Sequence, residues 1–506
     1  MLKKILSVGG WTLVSRATGF VRDVVMAAIM GAGPIADAFV VAFKLPNHFR
    51  AIFGEGAFNA AFVPTYGRVY ETEGASRAAA FASRIFTLML IVQAVLLVAA
   101  LLAMPAFVSV LAPGLKPDVF QLAVELTRIT FPYLLLITLV TVISAVLNAR
   151  DRFWAAAAAP ILLNLSMIAT LAAAYLFPTA AHAAAAGVLI SGVLQLGLVW
   201  WNASRAGIAP RLTRKLRDPE MGGFFKRLGP AVIGSAGIQI AMFADTIIGS
   251  FLPTGALSSL YYADRLYQLP LGVVGIAAGT VLLPTMSRLI AAGNTSGAHA
   301  AQNRAVGFTL ALAAPCAVAF LVLPDLIMTA LFQRGAFDAA AAARAGDVLA
   351  AYAVGLPAAV IVRSATASFY SRGDTMTPLW ASLAGYGVNI ALKFVLIGPF
   401  GVAGLALATS VGAWINVGLL WFLAVRRDLA APSPALLKTL AAITVGCVVL
   451  AALAIFGRAP RAAARAPLGW LRDLATLAGL GLSGLVLYGA VLALCLRLLG
   501  VRLRRA

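Results

Sequence analysis

The chain has 506 residues, of which 62% are hydrophobic and 11% charged, whereas soluble domains carry about 25% charged residues. A mean hydropathy of +0.95 over that length excludes a sizeable soluble domain. The formal net charge of +21 invites a nucleic-acid reading, but the cations are scattered over short segments between apolar runs, and no soluble domain is left to hold DNA or RNA.

About 20 helical residues cross the hydrocarbon of a bilayer. In chain order, runs of that kind fall at 6–30, 36–65, 79–103, 120–147, 156–177, 183–204, 229–251, 256–285, 304–323, 346–370, 377–397, 401–425, 437–457 and 470–496. Lys3 and Lys4 precede the first run as in a signal peptide. That run contains Arg16 and Arg22 and lacks a small-residue cleavage site, so it reads as a retained span. Fourteen spans put both termini on one side. Segments on that side hold 23 Lys and Arg, and segments on the other hold 7, so the positive-inside rule predicts cytoplasmic termini in a bacterial inner membrane. The most basic segment, 205–228, reads as an interfacial stretch on the anionic inner leaflet.

The chain also repeats itself. VPTYGR (Val63 to Arg68) is answered by LPTMSR (Leu283 to Arg288), and ADAFVVAFKLP, ending at Pro46, by YADRLYQLP, ending at Pro270. NARDRFWAAAAAP from Asn148 is answered by YSRGDTMTP from Tyr370, again offset by about 220 residues. Six helices per copy is an even number, so the copies share one orientation about an axis along the membrane normal. The expected architecture is an all-α integral membrane protein with six-helix lobes at 1–204 and 229–425. Residues 205–228 link the lobes, and 426–506 add two further helices and a basic tail.

Nine cations fall inside the spans and clear of their end residues, each costing about 2.5–3.5 kcal/mol at mid-bilayer unless partnered. Arg84 lies near a helix end and reads as snorkelling; Arg128 is one turn from Glu125 and reads as a local ion pair. Arg16 falls near the midplane, with Arg22 further out on the same helix, Arg50 in the inner half of the second and Arg265 near the middle of the eighth. These four arginines are expected to converge on one cavity between the lobes. Guanidinium forks that stay charged suit a large anion, above all a pyrophosphate. Asp23, seven residues beyond Arg16 on the same face, is placed to hold it, and Asp264 adjoins Arg265; the alternative is that these ion pairs simply glue helices together. Asp37 follows Pro34 in a first helical turn, where a carboxylate also suits the helix N-terminus. Asp245 and Lys393 are predicted at one depth on the seventh and eleventh helices, with Asn389 one turn from Lys393. They form a candidate ion or charge-pair site, unless the pair is purely structural or Lys393 snorkels to the surface.

No catalytic constellation is present. There is no Walker-type phosphate loop, and His48, His182 and His299 are isolated. Cys316, Cys447 and Cys495 stand alone in apolar runs, so no metal or other cofactor is expected.

Four motifs carry a resemblance: SRATGFVRD (Ser15 to Asp23), ADAFVVAFKLPNHFR (Ala36 to Arg50), GEGAFNAAFVP (Gly54 to Pro64) and YYADRLYQLPLGVVG (Tyr261 to Gly275). With FYSRGDTMTP after the tenth helix, the chain closely resembles the MurJ (MviN) lipid II flippases over essentially its whole length. The resemblance implies membership of the multidrug/oligosaccharidyl-lipid/polysaccharide exporter superfamily, alternating access between two lobes, and a groove on the last two helices for the undecaprenyl tail. It implies substrate-binding roles for Arg16, Arg22, Arg50 and Arg265, with Asp23, Asp37, Glu55 and Asp264 as supporting charges. Some relatives carry an acid where this chain has Gln268, and that position is left out of the site. Acidic residues within a lobe commonly bind sodium or a proton in this superfamily. Lys393 paired with Asp245 reads as a tethered cation in place of such an ion. Expected partners are lipid II, membrane lipids and a cell-wall synthesis complex. The alternatives are a flippase for another undecaprenyl-linked oligosaccharide, or a cation-coupled exporter, which an arginine-lined cavity disfavours. A non-transporting scaffold would leave the buried arginines without a purpose.

Overall fold

The computed structural model describes residues 2–50, 57–457 and 469–501, with side chains throughout except at 2–8, 45, 47–50, 57, 60, 230–241, 273–281, 469 and 470. Helix follows helix, and no strand occurs among the described residues. The first nine are α1 (Leu2–Met30), α2 (Pro34–Arg50), α3 (Ala57–Glu73), α4 (Ala75–Leu102), α5 (Met104–Leu111), α6 (Pro117–Thr130), α7 (Pro132–Ala149), α8 (Trp154–Ala172) and α9 (Ala180–Arg205). The rest are α10 (Pro219–Gly249), α11 (Ala256–Ala291), α12 (Thr295–Val322), α13 (Pro324–Phe332), α14 (Ala339–Tyr370), α15 (Met376–Arg426), α16 (Pro434–Phe456) and α17 (Gly469–Leu498).

Nine of these stretches, among the described residues, are long and apolar enough to cross a membrane, with α6 and α7 counted as one. Adding α1, α2 with α3, α10, α11 and the second arm of α15 gives about fourteen passages. Proline sets several boundaries. It occupies the first turn of α5, α6, α7, α10, α13 and α16, where its missing N–H has no helical partner to lose. Pro132 thereby divides the expected 120–147 helix into α6 and α7, and the short helices α5 and α13 were not anticipated. The expected 36–65 helix corresponds to α2 and α3, with residues 51–56 outside the described residues. The expected helices 377–397 and 401–425 are the two arms of α15, which reverse at Gly401 (φ 54°, ψ −130°), a conformation open to glycine alone.

The duplication reappears in the element boundaries. α4 and α12 are both 28 residues long and start about 220 residues apart, and each opens behind a glycine of positive φ, Gly74 (85°) and Gly293 (71°). The α7–α8 turn holds Asp151 at φ 62°, and the matching α14–α15 turn holds Gly373 at φ 79°.

By packing, the chain forms two compact units, Met1–Ser258 and Ser259–Ala506. In the first, Phe62 of α3 stacks on Phe81 of α4, and Phe224 of α10 meets Phe58 and Phe62 edge-on. α10, counted from sequence with the second lobe, thus packs on α3 within the first unit. In the second unit α14 lies against α15 so closely that a Cβ at Gly355 would stand 2.6 Å from Ser410 Cα. Lipid offers no hydrophobic drive between helices, so this small-residue contact, with its dispersion and backbone proximity, holds them together. Tyr262 of α11 clusters with Phe332 and Phe337 at the end of α13.

Candidate functional site

In the first unit, one stripe of α1 carries polar groups into the apolar interior. Arg22 is 5% exposed; its Nε and Nη2 donate to Asp23 Oδ1 at 3.0 and 2.7 Å. Its Nη1 donates to Asn164 Oδ1 on α8 at 3.0 Å, and its guanidinium stands 5.8 Å from the Phe43 ring centre. The amide of Asn164 donates in turn to Ser15 O (2.9 Å) and Thr18 Oγ1 (3.0 Å). Ser15, Thr18 and Arg22 share one helix face, and Gly19 between them leaves room: a Cβ at that position would stand 3.4 Å from the Asn164 amide nitrogen. Asp23 therefore grips its sequence neighbour Arg22, a pairing that the seven-residue spacing to Arg16 did not suggest. Arg16 itself is half-buried on α1.

Asp37, 4% exposed in the first turn of α2, accepts three hydrogen bonds. They come from Gly255 N (2.6 Å), Ser258 N (2.8 Å) and Ser258 Oγ (2.7 Å), at the turn where α11 begins. A carboxylate at this point satisfies N–H groups that the start of a helix leaves without internal partners. The helix start that these hydrogen bonds serve is that of α11, while Asp37 itself sits in the first turn of α2. The side chain of Arg50 and all of Glu55 lie outside the described residues.

In the second unit, Arg265 is half-buried with its guanidinium 4.7 Å over the Tyr261 ring, and Asp264 accepts from Gln268 Nε2. Lys393 is fully buried at 0% exposure, so it does not snorkel to the surface. Asn389, one turn away and 5% exposed, faces the other arm of α15, its Cβ 2.8 Å from a Cβ placed on Gly412. Asp245 is half-buried on α10 in the first unit.

Of two further constructions, the first was not read from the sequence and the second was implied only by the resemblance. The first is an ionic clasp at the start of α10. Asp218 caps the helix through Glu220 N (2.9 Å) and takes Arg77 in a two-pronged pair (2.7 and 2.8 Å). It also binds Arg84, while Glu220 binds Arg68 and Glu73 binds Arg77 at 3.0 Å. The preceding strap lies along α4, with Arg211 N on Ser83 Oγ (3.0 Å) and Thr213 N on Thr87 Oγ1 (3.1 Å). Burial opposes the charge on Asp218, but the Arg77 and Arg84 bonds and the Glu220 N–H outweigh it and hold the carboxyl down at about 2. Arg84, expected to snorkel, is thus a partner of Asp218. Glu125, expected to pair with Arg128, lies 3.8 Å from His182 Nε2 instead.

The second is an apolar groove of about 1370 Å³ between α12, α16 and α17, lined by residues such as Phe308, Leu312, Leu450, Leu480 and Leu492. Tyr488 Oη donates to Ala311 O (2.9 Å) across it, and its ring fills the gap above Gly446.

The family model described as lipid II flippase MurJ matches residues 26–464. The chain belongs to the MurJ family. It is 40% identical to the probable lipid II flippase MurJ of Rhizobium meliloti over 459 residues, covering 89% of this chain and 86% of that protein. It is 34% identical to the lipid II flippase MurJ of Burkholderia cenocepacia, covering 90% and 89%. Its fold is that of a lipid II flippase MurJ solved in an inward closed conformation (TM-score 0.80, 24% identity, 97% and 98% covered). A multidrug resistance MATE family transporter in its inward-facing conformation is also similar in fold (TM-score 0.71, 16% identity, 82% and 95% covered). This MurJ family chain is accordingly a multi-pass membrane protein. Its missed polar residue, Asn164, carried a readable signal: an amide inside the apolar stretch PILLNLSMIA. The clasp carried a weaker one, since Asp218–Pro219–Glu220 has the pattern of a capped helix start.

Proposed function

We propose that this chain is a transporter that flips lipid II, the undecaprenyl-pyrophosphate-linked peptidoglycan precursor, from the cytoplasmic to the periplasmic leaflet of the inner membrane. The observation that carries the reading is the pairing of chemistries within a MurJ family fold. An arginine of α1 is held in place in the apolar interior of the first unit, and a groove of membrane length in the second is lined by hydrocarbon. An anionic head on a polyprenyl tail is the amphiphile that needs both. Arg16, Arg22, Arg50 and Arg265 receive the pyrophosphate, supported by Asp23, Asp37, Glu55 and Asp264, and the groove on the two C-terminal helices takes the tail. Both termini lie in the cytoplasm, as the 23-to-7 distribution of Lys and Arg favours.

A fold shared with MATE transporters, solved in inward-facing and outward-facing conformations, supports alternating access. Inward-open, the arginines accept the headgroup; the lobes then rock, and the head leaves outward while the tail stays in the bilayer. With no nucleotide-binding motif in the sequence, membrane potential, an ion gradient or consumption of product outside supplies the drive. Asp245, Asn389 and Lys393 form a charge-pair site in which the lysine ammonium takes the place of a coupling ion. The test is depletion of the protein in living cells followed by an externally added lipid II-cleaving toxin. Lipid II is expected to become protected, and complementation with an Arg16→Ala, Arg265→Ala variant is expected to leave it protected. Cleavage undiminished on depletion, or full rescue by that variant, overturns the reading.

A further inference from the structure

Among the described residues that line it, the groove of the second unit is polar at one end only. On α12 its lining runs from Ala300 to Leu323, about 35 Å at the helical rise, enough for the whole hydrocarbon thickness. Its volume of about 1370 Å³ exceeds the roughly 300–1,000 Å³ of small-molecule pockets and suits a long chain. α12 and α16 run side by side in the same sense: Gly307 sits against Leu436 and Thr439, and Ala311 and Gly446 both meet Tyr488 of α17. One end is therefore formed by Asn303, Arg304, Ser433 and Val501, and the other by Leu323, Ala454 and Leu477, with no charge among them.

At the polar end the groups are unequally engaged. The Asn303 amide donates to Ala431 O (2.8 Å), and Lys438 Nζ donates to Leu499 O (3.0 Å), closing the last turn of α17. Arg304 lines the groove, is exposed, and has no ion pair with any described residue. A cation without an ion pair among the described residues thus stands where the apolar channel opens. On the predicted topology that opening faces the cytoplasmic leaflet, at headgroup depth.

We infer that Arg304 is a loading residue: it takes the diphosphate of a polyprenyl diphosphate lipid while the isoprenoid chain enters the groove, before the head moves on to the proposed site arginines. The inference rests on the proposed flippase reading and adds to it a positioning residue outside the cavity. The chosen occupant is a polyprenyl diphosphate, because a groove of this length with Arg304 at its mouth matches one long chain with one compact anionic head. An anionic phospholipid shares the phosphate chemistry but brings two shorter chains.

The experiment measures binding of undecaprenyl pyrophosphate, undecaprenol and phosphatidylglycerol to the full-length protein in nanodiscs, for wild type, Arg304→Gln, Arg304→Lys and the groove-filling Gly307→Trp. Arg304→Gln is expected to weaken undecaprenyl pyrophosphate about tenfold, the loss of one charge-assisted bond pair, with undecaprenol unchanged. Arg304→Lys should recover part of the loss, since it restores charge without the fork, and unfolding temperatures should not move. Equal diphosphate affinity in Arg304→Gln and wild type overturns the inference. So does phosphatidylglycerol binding that undecaprenyl pyrophosphate fails to displace and that Arg304→Gln weakens. Gly307→Trp is expected to abolish binding of both polyprenyl lipids. If it leaves undecaprenol binding intact, the groove reading itself has failed, a result distinct from failure at Arg304.

Discussion

Replacing Asp218 by Ala removes the centre of the clasp that fixes the start of α10 to α4. The Asp218 side chain is fully buried and Arg77 is 24% exposed, so water screens this pair less than it would a surface pair. A carboxyl held at about 2, against an ordinary 3.8, corresponds to about 2 kcal/mol of stabilisation by ionisation. Loss of the cap adds about 1 kcal/mol. Asp218→Ala is therefore expected to destabilise the protein by about 3 kcal/mol, leaving Arg77 and Arg84 facing each other without their shared anion. Because the folded-state pKa is depressed, the ionisation contribution is complete above the unfolded value of about 3.8 and is lost as pH falls through about 2. It should be constant from pH 5 to 8 and roughly halved at pH 3. Thermal unfolding of purified Asp218→Ala, Arg77→Ala and the double variant gives the coupling directly. A coupling below about 0.5 kcal/mol at pH 7, or one that grows as pH falls, refutes the reasoning.

Asn164→Ala should cost about 1–3 kcal/mol, because it strips a hydrogen bond from buried Arg22 and two from α1 at once; unfolding midpoints check this. Gly355→Leu should prevent accumulation of folded protein, since its side chain would overlap the Ser410 backbone, whereas Gly387→Leu, with open space around it, should accumulate normally in membrane fractions. Flipping by the wild type should be insensitive to sodium, and Lys393→Ala should either acquire sodium dependence or lose stability; a Lys393→Ala protein indistinguishable from wild type contradicts the tethered-cation reading. Lys215→Cys should be shielded from impermeant thiol reagents in intact cells and Gly335→Cys labelled, with the reverse pattern inverting the proposed topology.

Much of the fold was legible because a bilayer leaves little choice. Backbone groups must be satisfied within each span, so apolar runs and their charged or Pro/Gly breaks mark the helices closely. Where the reading failed, the cause was local. Pro132 and Pro105 lie inside apolar stretches, and hydropathy alone does not register that a missing N–H restarts a helix. The site was legible in kind but not in pairing. Arg22 announced itself as a costly charge. Its partner Asn164, 142 residues away, became visible only when α1 and α8 were placed together. Arg77, Arg84 and Asp218 looked like ordinary loop and helix-end charges, since separation along the chain hides which of many surface ions share one carboxylate.

The Asn164 amide touches α1 at residues 15, 18 and 22, three points along two turns of one stripe. That spacing acts as a key in a lock. Turning α1 about its own axis by a single residue, about 100°, or sliding it by one residue, about 1.5 Å, would break all three contacts together. From Ser15 to Arg22, α1 is thereby denied the small independent rotations by which packed helices usually adjust. Any movement that carries Arg22 must either take α8 with it as one body or bend α1 beyond the keyed segment, toward its N-terminal turns or toward Gly31.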